Sequence, residues 1–318
     1  MSAFAAGQAV RIADRLTVGH TRVPSYVRGA KGTIERVLHE FLIPEDDAFG
    51  RPHGRRRTLY RVRLATHDLW PQYRGLASDE VQIEIYEHWL EPIEDGQPMN
   101  EHHDHGAHAP IVSRETPGEW EILEIAVREL AIAKGLITAD DHRRLLEGMD
   151  AANPALGAKV VAHAWVDEAY RARLVADGSV AFELGIDNYD RTNLIVLENT
   201  PRVHNLVVCT LCSCYPRPIL GLPPDWYKSP AYRSRAVRWP RAVLAEFGTA
   251  VPDDVSVLVH DSNADMRYLV MPMRPPGTEG WTEAQLAELV TRDTMIGVTV
   301  PRVPTGPGRP FSDGRRAP

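Results

Sequence analysis

The stretch Cys209-Thr210-Leu211-Cys212-Ser213-Cys214 decides how this chain is read, because it holds all three cysteines of the 318 residues. Chance seldom crowds a rare residue into six positions. Three thiols so close cannot all pair with one another, and near neighbours in a chain make poor disulfides. Thiolates bind soft metals, and a loop this tight can aim every sulfur at one ion. A fourth Cys, or a His at zinc-finger spacing, is missing, which argues against a closed structural zinc site. Cys209, Cys212 and Cys214 offer three sulfur ligands. Cys212 and Cys214 straddle Ser213, so the backbone nitrogens of Ser213 and Cys214 point at the same ion and are strong donors if deprotonated. Five donors leave an octahedral ion one open position, which distinguishes a catalytic from a structural site. The competing readings are a redox pair and a buried inert cluster.

Working outward, His204-Asn205-Leu206-Val207-Val208 reads as the strand that delivers the loop, and Asn193-Leu194-Ile195-Val196-Leu197-Glu198 as a strand before it. Pro216, Pro218, Pro223 and Pro224 stiffen the chain just beyond the cysteines. Val255 to His260 and Arg267 to Met271 are predicted strands, with a helix following Pro240 and another from Thr282 to Val290. Upstream, the apolar spacing of Trp120, Leu123, Val127 and Leu130 predicts a helix stopped by Gly135. Thr138 is a plausible N-cap for the next, and two more run from about Pro154 to His163 and from Asp167 to Ala176.

Residues 1 to about 92 alternate apolar and polar side chains in Ala9–Ile12, Gly32–Val37, Thr58–Leu64 and Val81–Tyr86, the period of half-buried strands. Their number and shortness predict a small, partly open barrel, SH3-like in size. The predicted organisation is α+β: a barrel at 1–95, a His-rich linker at 96–115, a metal-binding domain of helices and an α/β sandwich at 116–300, and a disordered tail at 301–318. Arg22 and Arg28 lie in the loop after the first strand, a solvated loop in the plain reading and a clamp for an anionic group in the functional one. Arg55-Arg56-Arg57 reads as a solvated hairpin tip.

Apolar (43%) and charged (25%) contents are those of a soluble globular protein, and a net charge of −7 gives no reason to expect a nucleic-acid partner. No apolar run approaches membrane-spanning length, and Met1 to Gly7 lacks the pattern of a signal peptide. Clustered cysteines fit the cytoplasm.

Val208 to Pro216 resembles the metal motif of the nitrile hydratase α subunit, and the likeness extends through Gly221 to Lys228, Tyr232 to Arg235, Glu198 to Thr200 and Arg274 to Gly280. Gly19-His20-Thr21-Arg22, Tyr26-Val27-Arg28-Gly29 and Glu87 to Pro92 resemble the C-terminal half of the β subunit, an SH3-like barrel in that family. The resemblance implies a fused chain that hydrates a C≡N bond, nitrile to amide, at a low-spin cobalt(III) centre, with iron as the alternative metal; Thr210 matches the cobalt form. It implies Cys209, Cys212, Ser213 and Cys214 as metal ligands. Cys212 would be oxidised to sulfinate and Cys214 to sulfenate, with Cys214 catalytic and Arg22 or Arg28 pairing the sulfur oxygens. Two departures stand out. The N-terminal half of the β subunit has no counterpart, which implies a separate companion chain and a hetero-oligomer. Arg217 replaces a usual Trp, as in the γ subunit of thiocyanate hydrolase, and favours an anionic or polar substrate. Thiocyanate hydrolysis to carbonyl sulfide and ammonia is therefore the alternative activity, and a metal carrier without turnover the alternative of another class.

Overall fold

The computed structural model describes residues 3–15, 22–47, 53–93, 119–212 and 214–304. Its strands are β1 (Ala9–Ile12), β2 (Lys31–Leu42), β3 (Arg56–Ala65), β4 (Glu80–Tyr86), β5 (Leu90–Pro92), β6 (Leu194–Glu198), β7 (Val203–Val208), β8 (Ser256–Asp261) and β9 (Arg267–Met271). The architecture is mixed α+β.

One seven-stranded sheet runs in the order β5-β1-β2-β3-β4-β8-β7. From β5 to β4 it is antiparallel. At β4 it turns parallel, with Ile83 opposite Asp261 and then Val208 opposite Asp261 on the other side. β6 and β9 form a separate parallel pair, Leu194 opposite Arg267.

The expected SH3-like barrel is therefore not closed. β5 does fold back onto β1, but the free side of β4 is taken by β8, and the first ninety residues share a sheet with the second half. The physical reason lies in β4. Its alternating pattern predicts a half-exposed strand, yet six of its seven residues are buried, Gln82 and Glu84 among them. Glu84 is tolerated inside because it accepts hydrogen bonds from Arg61 Nε at 3.0 Å and from the Tyr268 hydroxyl. A buried carboxylate needs such partners, and Tyr268 comes from the other half of the chain. Arg56 and Arg57 belong to β3 rather than to a hairpin tip, and Arg55 binds the Asp46 carboxylate.

Helix Pro154–Val166 supplies the main helical layer. Asn153 caps it, Pro154 starts it, and Val160, Val161, Ala162 and Ala164 are buried on the core side. Burying a Val outright is worth about 1.5–3 kcal/mol, and Leu206, Val208, Val257 and Val259 of β7 and β8 are equally inaccessible. Thr138 caps helix Ala139–Ala151 with a capping box, as expected, and Thr282 does the same for Glu283–Ala287. Gly135 ends helix Glu119–Ala133 at a φ of +66°, a conformation that favours glycine. No helix among the described residues is long and apolar enough to cross a membrane. The expected linker at 96–115 and tail residues 305–318 lie outside the described residues.

Candidate metal centre

Parallel strands β7 and β8 end together, and the cysteine loop leaves from that edge. The crevice outside the carboxyl ends of parallel strands is where open α/β sheets bind ligands. Cys209 follows β7 directly and is fully buried; Cys214 is nearly so, and Cys212 is exposed. The three Sγ atoms lie within 4.8 Å of one another, with Cys209 to Cys212 at 3.4 Å and Cys212 to Cys214 at 2.8 Å. Two thiolates on one ion stand at most about 4.6 Å apart, twice a metal–sulfur bond of roughly 2.3 Å. Three sulfurs at this separation therefore fit a single soft metal, and no other His, Cys, Asp or Glu cluster among the described residues does. Ser213 lies outside the described residues.

The loop backbone is held from two sides. Tyr227, in helix Asp225–Lys228, donates to the Cys214 carbonyl at 2.8 Å. In helix Pro230–Arg238, Arg233 donates to the carbonyls of Cys209 and Thr210, and Tyr232 to that of Val207 at 2.6 Å. From β8, Asp261 accepts from the Thr210 N–H at 2.8 Å and its hydroxyl at 2.6 Å. Its second oxygen also accepts from the Tyr26 hydroxyl at 2.6 Å, which ties the first ninety residues to the loop. Burial, and then the nearby Cys209 sulfur, pushes the Asp261 carboxyl up to about 7, against the pull of its hydrogen bonds.

The sulfurs perturb one another. Hydrogen bonding to Cys209, then Cys214, pushes the Cys212 thiol down to about 3, and the Arg267 guanidinium adds positive potential. The same shared hydrogen bonds raise Cys209 and Cys214.

The expected arginines are distributed differently. Arg22 is engaged by carboxylates, Asp265 in close contact and Asp47 at 3.6 Å. Asp265 is in turn shared with the Tyr86 hydroxyl at 2.8 Å. Arg28 donates to the Val23 carbonyl at 3.1 Å and its guanidinium lies 5.8 Å from the Trp89 ring. Arg217, three residues beyond Cys214, is exposed and acts electrostatically on Tyr189. Sequence reasoning quoted Tyr26, Tyr227 and Arg233 without giving them a role, and read Arg267 only as a strand start. It missed Asp261, whose one signal was an acidic residue ending an apolar strand. Of the cavities, one of about 640 Å³ lies beside Val203 and His204, at the far end of β7 from the cysteines, and is no part of this site.

A mixed α+β protein with a three-thiol metal loop at the edge of a parallel sheet is the class that fold and site define. The nitrile hydratase alpha chain family matches residues 118–299, and the C-terminal region of the nitrile hydratase beta subunit matches residues 1–92. The chain belongs to the nitrile hydratase family and fuses the two parts. Over 206 residues it is 52% identical to the thiocyanate hydrolase gamma subunit of Thiobacillus thioparus, covering 61% of this chain and 84% of that one. It is 54% identical over 183 residues to a low-molecular weight cobalt-containing nitrile hydratase alpha subunit of Rhodococcus rhodochrous, covering 57% and 88%. A crystal structure of a thiocyanate hydrolase variant is 48% identical, covering 64% of this chain and 100% of that one at a TM-score of 0.55. The first ninety residues are 41% identical over 91 residues to the thiocyanate hydrolase alpha subunit of T. thioparus, covering 28% and 71%. They are 34% identical over 92 residues to the nitrile hydratase beta subunit of Rhodococcus erythropolis, covering 28% of this chain and 42% of that subunit.

Proposed function

We propose that this chain carries the metal centre of an enzyme that hydrates a C≡N bond, converting a nitrile to an amide. The convergence of Cys209, Cys212 and Cys214 within 4.8 Å carries the reading. These sulfurs, with the amides of Ser213 and Cys214, would hold a cobalt(III) ion; the named cobalt relative supports cobalt over iron. When bound, such an ion supplies a Lewis acid that polarises the C≡N group. The chain's own residues do the rest. Tyr227, Arg233 and Asp261 hold the loop backbone at Cys214, Cys209 and Thr210. Cys212 is the exposed sulfur and Cys214 the sheltered one, an order that supports deeper oxidation at Cys212, to sulfinate, than at Cys214, to sulfenate. The Cys214 sulfenate oxygen is the proposed nucleophile or base. Arg267, and Arg22 or Arg28, are the cations proposed to balance the oxidised sulfurs. A companion chain resembling the first part of the beta subunit would complete the pocket. Unpaired cysteines accord with the cytoplasm.

Thiocyanate hydrolysis is the second reading. The exposed Arg217 beside the cysteine loop favours it, because a guanidinium there suits an anionic substrate. Assay of the cobalt-loaded complex with a nitrile panel and with thiocyanate decides between them. Amide formation is expected; ammonia from thiocyanate without nitrile turnover would overturn the first reading in favour of the second. Mass spectrometry of the cysteine peptide is expected to show gains of about 32 and 16 Da, two oxygens and one. Cys214→Ser is expected to remove the smaller gain and to cut turnover by about 1,000-fold or more. An unoxidised peptide from a fully active complex would exclude the sulfenate role.

A further inference from the structure

Trp70 and Tyr26 stack with ring centroids 5.6 Å apart and planes 23° from parallel. Both belong to the first ninety residues: Tyr26 lies in the short turn Ser25–Val27, and Trp70 follows helix Thr66–Leu69 as its cap. Arg238, from the other half of the chain, sets its guanidinium over the Trp70 ring, 4.6 Å from the centroid. Neither ring is core filler; both are half-buried and pack against the edge of the core. The Trp70 indole N–H takes no hydrogen-bond partner among the described residues, so the ring is held through its faces. A cation over an indole face and a stacked ring pair are both attractive through the ring quadrupole. Beyond the stack lies the Tyr26 hydroxyl, which donates to Asp261 at 2.6 Å. Asp261 in turn accepts from Thr210, between Cys209 and Cys212. Arg238 ends the helix whose Tyr232 and Arg233 donate to the carbonyls of Val207, Cys209 and Thr210. That helix reaches the cysteine loop by two routes: directly at the carbonyls, and through Trp70, Tyr26 and Asp261 at the Thr210 N–H.

We propose that Trp70 is a positioning residue of the metal centre: its ring, braced by Arg238, fixes the Tyr26 ring so that the hydroxyl stays on Asp261 and Asp261 stays on Thr210. This role rests on the reading of the cysteine loop as a metal centre. A phenol on a turn has two side-chain torsions to order, and the stack on Trp70 restricts both. The indole comes from the first half of the chain and the guanidinium from the second, so the brace also reports whether the halves are seated on one another. Because the route to the loop runs through one hydroxyl, removing the ring and removing the hydroxyl disturb the same contact, and their effects overlap rather than multiply. A ring that only filled space would act independently of that hydroxyl.

The test follows thiol reaction with a disulfide reagent in the full metal-free chain, and turnover per bound cobalt in the loaded complex. Trp70→Leu is expected to speed reaction of the buried Cys209 and Cys214 thiols about fivefold, the scale of one lost aromatic pair. Tyr26→Phe is expected to do the same, and the double variant to show no more than the larger single effect. Trp70→Phe keeps a ring to stack and is expected to stay within about twofold of the parent. Turnover per cobalt by Trp70→Leu is expected to fall about tenfold at an unchanged KM, because the loop is disturbed and substrate binding is not. Effects of Trp70→Leu and Tyr26→Phe that multiply overturn the proposal. So do Trp70→Leu thiols that react at the parent's rate, a Trp70→Phe chain no better than Trp70→Leu, and Trp70→Leu turnover per cobalt equal to the parent's. Where Trp70→Leu does not fold, Trp70→His gives the same pair of measurements. Overlapping thiol effects in a chain whose loaded complex turns over neither a nitrile nor thiocyanate would sink the hydration reading and leave the positioning role; multiplying effects in an active complex would do the reverse.

Discussion

Asp261 shows what a single residue does here that no local pattern discloses. Its two oxygens accept three hydrogen bonds, two from Thr210 and one from Tyr26. Thr210 is 51 positions away and Tyr26 is 235. The cysteine cluster was legible because all its donors are neighbours in the chain. Asp261 was not, because parallel pairing of β7 with β8 and the approach of the first ninety residues bring its partners in. Arg22 shows the same limit from the other side. Its loop advertised a cation, but Asp265, which engages it, arrives from the other half of the chain. Tyr26 can be tested directly. Its ring also stacks on Trp70, with centroids 5.6 Å apart, so Tyr26→Phe keeps the packing and removes only the hydroxyl. A hydrogen bond to a charged acceptor is worth about 1.5–3 kcal/mol, a range that applies above about pH 7, where the Asp261 carboxyl is ionised. Denaturant unfolding of Tyr26→Phe is expected to show a loss of that size, with three reactive thiols still counted in the metal-free chain. No loss would mean that the Tyr26 contact does not hold the loop.

Among the elements, the junction of β4 with β8 was the least legible and matters most. Strand starts and stops were readable: β1 and β9 fall where their patterns put them, and Thr138 and Thr282 cap as their types suggest. Pairing partners were not, because alternation reports a face and says nothing of which edge meets which. The junction is clasped at Asp79. Arg241 binds its carboxylate through Nε at 2.8 Å and a terminal nitrogen at 3.0 Å, and the Val257 N–H donates at 2.7 Å. Burial works to raise this carboxyl, but Arg241, Val257 and Tyr73 together hold it below its ordinary value. A depressed folded-state pKa stabilises the fold fully above the ordinary carboxylate range, near pH 4, and the contribution fades as pH falls through the lower folded value. Asp79→Ala takes from Arg241 its carboxylate and leaves it only the carbonyls of Val251, Pro252 and Val255, and is expected to cost on the order of 3 kcal/mol at pH 7. The difference between variant and parent is expected to shrink below about pH 4 as Asp79 takes up its proton. A pH-independent difference would assign the effect to packing rather than to charge.

The whole molecule is a fusion whose two parts have separate counterparts in another enzyme. Thiobacillus thioparus thiocyanate hydrolase carries the likeness to residues 1–92 in its alpha subunit and the likeness to the alpha-chain part in its gamma subunit. In this chain a shared sheet joins the two parts. Separating them would strip β8 from β4, leaving unpaired backbone groups on its edge, and would uncover Glu84 and Tyr86, buried where they meet Tyr268 and Asp265. Such an edge is a template for aggregation. It would also orphan Glu84 from Tyr268, Asp79 from Arg241 and Asp261 from Tyr26. Those contacts are made by residues outside 96–115, so they are available to two chains as they are to one. Co-expression of 1–95 and 116–318 as two chains is therefore expected to give a soluble complex that co-elutes and loads cobalt as the intact chain does. Either piece expressed alone is expected to aggregate. If each piece is instead soluble and monomeric by itself, and the two fail to associate when mixed, the continuous sheet is not what joins the halves, and the likeness to separate subunits has some other physical basis.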